Sequence, residues 1–348
     1  KLAEEQGVTL FLSSTPLFRR EMNYVTQAVR SADSPISYSY HVGQYLPDWH
    51  PWENYTDFFL GGGAEMLVET ARFWPSRYSP APDGGVNLLF CKGPDEYCGI
   101  TSNNLYTNCM VRHNIALASA AADTLSRLTP EQYARLALSA GEVGQWRALS
   151  AGIKLPRDGK TGRWRQDDTF HLLQPVDVAQ IKPDDSAAYS RVCFDALQRL
   201  RVIKQADVLL LMTRLPELFT DSEKQAAWED FEPLCIHDST LSFATHALFA
   251  AQNGLAEDAS RYFAKALWLD LRDVMSNTGK EGLHLACLGE TWQTVVFGFA
   301  GLRLRKGAPA LEPHLPDGWR SLELRFRHHG KRYTASITHD GAEIKERV

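Results

Sequence analysis

Along most of this 348-residue chain the apolar residues recur at helical spacing, and only beyond about residue 302 do they switch to strict alternation. That change of period constrains the fold more than any single motif, because a 3.6-residue stripe and a two-residue stripe bury different faces. Ala64, Leu67, Val68, Ala71 and Trp74 share one helical face. A long helix is predicted from about Asn108 to Leu128, with Ala118, Ala121, Ala122 and Leu125 permitting close packing. Thr129-Pro130-Glu131-Gln132 reads as a capping box with proline at the first helical position. Further helices are expected near 187–200, 203–213, 221–229, 240–252, 256–268 and 285–302, with Asn253-Gly254 as a C-cap between two of them. Long polar connections fall at 76–107 and 152–186, the second carrying Trp164, Asp167 and Asp168. In the tail, Leu322, Leu324 and Phe326 alternate with charged residues, Tyr333, Ala335 and Ile337 repeat the pattern, and His329-Gly330 and Asp340-Gly341 suit hairpin turns. Helix pairs joined by long loops suggest an α/α toroid with function on one rim. Residues 8–60 show no sustained period and are expected to form loops and short helices around Tyr38, Tyr40, Tyr45, Trp49 and Trp52.

Composition narrows the partners. Net charge is −5 and no basic patch dominates, which argues against nucleic acid. No apolar run reaches the length of a membrane span. Six cysteines stand at 91, 98, 109, 193, 235 and 287 without a CxxC pair, and the histidine spacing fits no zinc motif, so no metal is expected and the thiols read as reduced in a cytoplasmic protein. No signal peptide is visible; the chain opens at Lys1 within an apparent helix, Leu2 to Gln6, so its true start is expected upstream. Nine Trp and twelve Tyr would suit stacking on sugar faces, and they equally suit core packing.

Four segments have residue types that carry chemistry, each with a plainer reading beside it. Gly93-Pro94-Asp95-Glu96-Tyr97 sets two carboxylates in a turn beside aromatics. A carboxyl held against aromatic surface keeps its proton, as a general acid must; the plainer reading is an acidic turn capping the next helix. Lys204-Gln205-Ala206-Asp207 opens an apolar helix, where Lys and Gln can bond sugar hydroxyls or form a solvated first turn. His237-Asp238-Ser239-Thr240-Leu241-Ser242 gathers hydroxyls at a helix start, which binds anions or simply caps the helix. Glu281-Gly282-Leu283-His284, followed by Gly289-Glu290-Thr291-Trp292, offers a histidine for a phosphate oxygen or for structural bonding.

GPDEY followed by NNLYTN, then KQAD, HDSTLS and GLHLACLGETW, occur in the order found in glycoside hydrolase family 65, which this chain resembles from about Gly63 to its end. The resemblance implies a mainly α fold: an (α/α)6 barrel, incomplete because its first helices are missing, over residues 1–302, and a small C-terminal antiparallel β domain over 303–348. It implies that Glu96 is the general acid, that Lys204 and Gln205 bind the non-reducing glucose, and that Ser239, Ser242 and His284 bind phosphate. The implied reaction is inverting phosphorolysis of an α-glucosyl disaccharide, giving β-glucose 1-phosphate and a free sugar. Inorganic phosphate would be the co-substrate, no cofactor would be required, and the dimers common in the family make a homodimer possible. Phosphate is itself the nucleophile, whereas an inverting hydrolase needs a base about 6.5–9.5 Å from the acid to activate water. Hydrolysis is therefore the second expectation, and a non-catalytic carbohydrate-binding fragment the third.

Three departures qualify the resemblance. Family members are longer, with an N-terminal β-sandwich and the first barrel helices, so this chain reads as a C-terminal part. Residues 8–62 depart from the family pattern, which affects the acceptor site. Glu290 stands where a small residue is common; it would serve as a base for water, or point away and pair with an arginine such as Arg303. An incomplete barrel leaves apolar faces uncovered, so the 348 residues alone are expected to show little or no phosphorolysis in an assay of glucose 1-phosphate release.

Overall fold

The structure, a computed structural model, describes residues 59–183, 186–305, 308–328 and 331–347. The expectations for Leu2 to Gln6, for the aromatic-bearing stretch 8–58 and for the His329-Gly330 turn fall outside these residues. The chain is mainly helical and ends in small antiparallel sheets. It divides into two compact units. Of the described residues, one unit takes in those up to Gly93 with Ile100–Arg157 and Arg165–Thr169; the other takes Pro94–Gly99, Asp158–Trp164 and those from Phe170 onward. No helix of the described residues is long and apolar enough to cross a membrane.

The first unit is built on α1 (Ala64–Phe73) and α2 (Leu105–Leu128). The predicted stripe of α1 is buried at Ala64, Leu67, Val68 and Ala71. It shares a core with Val111, Ile115, Ala118 and Ala122 of α2. Helix α2 starts three residues before the expected Asn108, because the Asn104 side chain accepts the Thr107 N–H at 2.9 Å and caps it. The connection 76–107 also holds a short hairpin that periodicity did not show, β1 (Tyr78–Pro80) with β2 (Val86–Leu88), turned by Gly84 and Gly85 at positive φ. The capping box at Thr129 does not form. Its hydroxyl makes no cap bond to α3 (Pro130–Arg135), and Gln132 turns its amide to the Leu60 carbonyl at 3.0 Å instead. Helix α4 (Ala140–Gly152), also unforeseen, brings Val143 and Trp146 to the same core. Its Glu142 pairs with Arg72 of α1 at 2.7 Å.

In the second unit the expected helix at 187–200 breaks into single turns, Ala188–Ser190 and Phe194–Leu197. Longer elements follow: α5 (Val208–Arg214), α6 (Asp221–Phe231), α7 (Ser242–Gln252), α8 (Ala256–Trp268) and α9 (Leu285–Gln293). A real capping box, Thr220 with Glu223, starts α6. Every residue from Ser242 to Ala251 is buried, so α7 is the central helix, packed by α5, α8 and α9. Trp228 of α6 stacks on Phe249 of α7 with ring centroids 5.5 Å apart. Gly254 takes φ +73° and closes α7, as the Asn253-Gly254 pair predicted.

The terminal strands are β3 (Leu302–Arg305) with β4 (Ala308–Leu311), and β5 (Ser321–His328), β6 (Lys331–Thr338) and β7 (Gly341–Arg347) in an antiparallel meander. Leu322, Leu324 and Phe326 face one side with Ala335, Ile337 and Ile344, around Ala300. Gly301 makes the junction before β3. It sits at φ +60°, and a Cβ there would lie 1.7 Å from the Glu312 backbone oxygen. Gly301→Ala is therefore expected to cost about 2 kcal/mol or more in urea denaturation. Gly159→Ala, with open space around the added carbon, should change stability by under about 0.5 kcal/mol.

Candidate active site

Glu96 lies on the turn that leads through Asp95 to Tyr97, and the residues around it come from the segment just before α5. Lys204 Nζ is 2.5 Å from Glu96 Oε2. The Gln205 amide donates both to Glu96 Oε1 at 3.0 Å and to the Pro94 carbonyl at 2.7 Å. Glu96 and the adjacent pair Lys204-Gln205, more than 100 positions away in sequence, thus make one cluster. The aromatic face expected beside Glu96 is replaced by an ammonium and an amide, and its side chain is 50% exposed. Tyr189 lies on the other side of Lys204, its ring centroid 6.0 Å from Nζ. Gln205 Oε1 is buried and has no hydrogen-bond partner.

Two buried aspartates build this geometry, and neither was singled out as a site residue. Asp95 Oδ1 accepts the backbone N–H of Lys204 at 2.9 Å and that of Tyr97 at 3.1 Å. One carboxylate oxygen therefore holds the acid turn against the Lys204 segment. Asp238 is bonded from three sides: the Tyr97 hydroxyl donates to Oδ2 at 2.7 Å, the Ala188 N–H to Oδ2 at 2.6 Å, and Lys182 Nζ to Oδ1 at 2.6 Å. Burial, reinforced by Asp238, pushes the Tyr97 phenol well above its ordinary value, so this tyrosine stays a donor. Asp238 N–H in turn bonds the Lys204 carbonyl at 3.0 Å. Asp95 and Asp238 stood inside quoted motifs, which was the available signal. Lys182 had none, since only folding brings it 2.6 Å from residue 238.

The expected phosphate residues do not form a similar cluster. Ser239 is nearly buried, and its hydroxyl accepts the Leu241 N–H at 3.4 Å. Ser242, the first residue of α7, is fully buried with Oγ 2.8 Å from His237 Nδ1 and 3.3 Å from Cys235 Sγ. Its hydroxyl faces inward, because α7 is buried on all sides. His284 is anchored elsewhere in the same unit: Asp270 accepts its backbone N–H at 2.8 Å and its ring Nδ1 at 2.5 Å. Glu290 pairs with Arg214 at 2.5 Å and accepts the Thr245 hydroxyl at 2.8 Å, with its side chain 7% exposed. The arginine partner is thus not Arg303, which donates to the Phe297 carbonyl. Burial raises the Glu290 carboxyl above its ordinary value, outweighing Arg214 and Thr245.

Comparison with known proteins gives the family. Residues 36–293 match the glycosyl hydrolase family 65 central catalytic domain, and residues 302–347 match the family's C-terminal domain. The chain belongs to glycosyl hydrolase family 65. It is 32% identical over 291 residues to an α,α-trehalose phosphorylase of Thermoanaerobacter brockii, covering 82% of this chain and 38% of that protein. It is 32% identical over 308 residues to a kojibiose phosphorylase of Halothermothrix orenii, covering 85% and 39%. A solved structure, a putative kojibiose phosphorylase from human microbiome, superposes with a TM-score of 0.78 at 27% identity, covering 89% of this chain and 42% of that one. The chain thus spans about two-fifths of the length of these relatives.

The Asp270–His284 pair has a pH signature. Burial raises the Asp270 carboxyl, but the bonds from His284 outweigh it and leave the group below its ordinary value of 3.8. A depressed carboxylate adds stability above the unfolded-state value, and loses it as pH falls through the folded-state value. Asp270→Asn should therefore cost about 1–3 kcal/mol near neutrality. In urea denaturation across a pH series, that difference from the parent protein should shrink as pH falls below 3.8.

Proposed function

We propose that this chain carries the acid side of an inverting α-glucoside phosphorylase, within an (α/α)6 barrel, with Glu96 as proton donor to the departing sugar. The observation that carries the reading is the joint grip of Lys204 and Gln205 on Glu96. Both residues present donors at the place where a glucosyl unit would sit. When sugar hydroxyls take those donors, the Glu96 carboxylate loses its charge partner, takes up a proton from solvent, to which it is half exposed, and passes that proton to the glycosidic oxygen. Phosphate then attacks the anomeric carbon from the opposite face, giving β-glucose 1-phosphate and a free sugar or alcohol. The relatives named trehalose and kojibiose phosphorylase support α-linked glucosyl disaccharides as the substrate class. A relative from Bacillus selenitireducens named 1,2-α-glucosylglycerol phosphorylase extends the acceptors to a polyol.

For phosphate we assign His284, with Nδ1 held by Asp270 and Nε2 meeting the anion, together with Ser239. Ser242, buried and bonded to His237 and Cys235, is left out of the anion site. Phosphorolysis is favoured over hydrolysis by Glu290, whose oxygens are engaged by Arg214 and Thr245 and so poorly placed to activate water.

The test is incubation of the full-length gene product with kojibiose, nigerose, maltose and trehalose, with and without phosphate. Phosphate-dependent glucose 1-phosphate from at least one substrate is expected. Glucose released equally without phosphate would make the protein a hydrolase, and sugar binding without turnover would make it a binding protein. Glu96→Gln should lower kcat by at least about 10²-fold, the usual scale for losing a general acid. Turnover that survives this change would remove Glu96 from the role.

A further inference from the structure

Among the described residues, one group of histidine, cysteine and acidic side chains has its donor atoms close enough to share a metal ion, and it lies in the interior at the start of α7. One donor atom from each of Cys235, His237 and His246 falls within 4.8 Å of the other two. The hydrogen bonds determine which atoms carry lone pairs. A carbonyl oxygen only accepts, so His246 must donate Nδ1–H to the Ser242 carbonyl at 2.8 Å, which leaves Nε2 deprotonated. That nitrogen is buried, on a fully buried residue, and has no partner. Tyr262 spends its single proton on Glu232 Oε1 at 2.5 Å. Its oxygen must therefore accept from His237 Nε2, 3.2 Å away, and His237 Nδ1 is left with its lone pair. That atom stands 3.7 Å from Cys235 Sγ and 2.8 Å from Ser242 Oγ, and the sulfur and the hydroxyl are 3.3 Å apart.

Each imidazole thus gives its N–H to an outer acceptor, a backbone carbonyl in one case and a tyrosine–carboxylate chain in the other. Such outer bonds orient metal-binding histidines. Ligand atoms around a tetrahedral zinc lie about 3.3–3.8 Å apart, given Zn–N near 2.0 and Zn–S near 2.3 Å; Cys235 and His237 already stand 3.7 Å apart, and all three donor atoms fall within 4.8 Å, so binding draws the His246 ring inward. His237 also has φ +52°, a backbone conformation that is costly for a non-glycine residue and is kept where the surroundings impose it.

The geometry points to a zinc site formed by Cys235 Sγ, His237 Nδ1 and His246 Nε2, with Ser242 Oγ as the fourth donor. The thiol proton leaves to solvent as the metal binds, and the thiolate forms the Zn–S bond. One thiolate, two neutral imidazoles and one hydroxyl make a borderline-soft set that suits zinc better than magnesium or calcium. The site is structural: it pins the segment ahead of α7, next to Asp238. It does not depend on the reading of Glu96, and its test needs no enzymatic activity.

The test uses the whole chain, stripped with a chelator and titrated with cobalt(II) and then zinc. A thiolate-to-cobalt charge-transfer band with tetrahedral d–d absorption is expected, saturating at about one equivalent and displaced by zinc. Cys235→Ser should abolish the charge-transfer band. Tyr262→Phe, which removes an outer bond and leaves the ligands, should weaken zinc binding about 10–100-fold with unchanged far-UV circular dichroism. It serves as the second variant if Cys235→Ser fails to fold. Absence of a thiolate band in the parent protein overturns the site, as does equal zinc affinity in the parent protein and Tyr262→Phe.

Discussion

Asp238 accepts a phenol from Tyr97 and an ammonium and a backbone N–H from Lys182 and Ala188, two stretches of chain far from it and from each other in sequence. Around it the rest of the candidate site takes its position. Tyr97 ties it to the Glu96 turn, Lys182 and Ala188 tie it to the loop before the Ala188–Ser190 turn, and its own N–H holds the Lys204 carbonyl. Buried charge is tolerated only when fully bonded, and this carboxylate is bonded at both oxygens. Because it also bonds the Lys204 carbonyl through its own N–H, the backbone of the Lys204 segment is held beside the Glu96 turn by the interior. Asp95 repeats the device one residue from Glu96, taking two backbone N–H groups on one oxygen.

Helix α7 explains the behaviour of the neighbouring histidines. It is buried on every side, so the residues at its start cannot reach solvent for their hydrogen bonds. They find them in one another: Ser242 with His237 and Cys235, His246 with the Ser242 carbonyl, Tyr262 with Glu232. Burial lowers the affinity of both imidazoles for protons, taking His246 down to about 4 and His237 well below its ordinary value. Both rings are therefore neutral at physiological pH, with lone pairs inside a protein core. The same burial turns Ser242 away from any anion above the helix start, which is why a motif with two serines contributes them to different environments.

Family membership and the cluster at Glu96 carry different weight. The family assignment rests on matches over residues 36–293 and 302–347 and would hold whatever the side chains did. The cluster adds that the expected acid is held by the two residues expected to bind the sugar. Glu290 is a buried carboxylate bonded at both oxygens, to Arg214 and to Thr245, within the core.

Helices α1, α6, α7 and α8 were legible in the sequence because their stripes or caps are local. Ala64, Leu67, Val68 and Ala71 lie within one helix, and Gly254 stops α7 through its own backbone freedom. The alternation of β5 and β6 was legible for the same reason. Glu96, Lys204 and Gln205 were found by motif order, which fixes identity without distance. What the sequence alone did not yield depends on long-range burial. Helix 187–200 broke into turns, the capping box moved from Thr129 to Thr220, Glu290 chose Arg214 over Arg303, and Lys182 reached Asp238. Hydrogen-bond partners in a core are chosen by which polar groups are shut away from water together, and that is settled only when the elements pack. Local periodicity therefore determined most of the elements and the order of motifs the family, whereas tertiary packing alone decided the partners of Glu96, the inward turn of Ser242 and the meeting of Cys235 with His237 and His246.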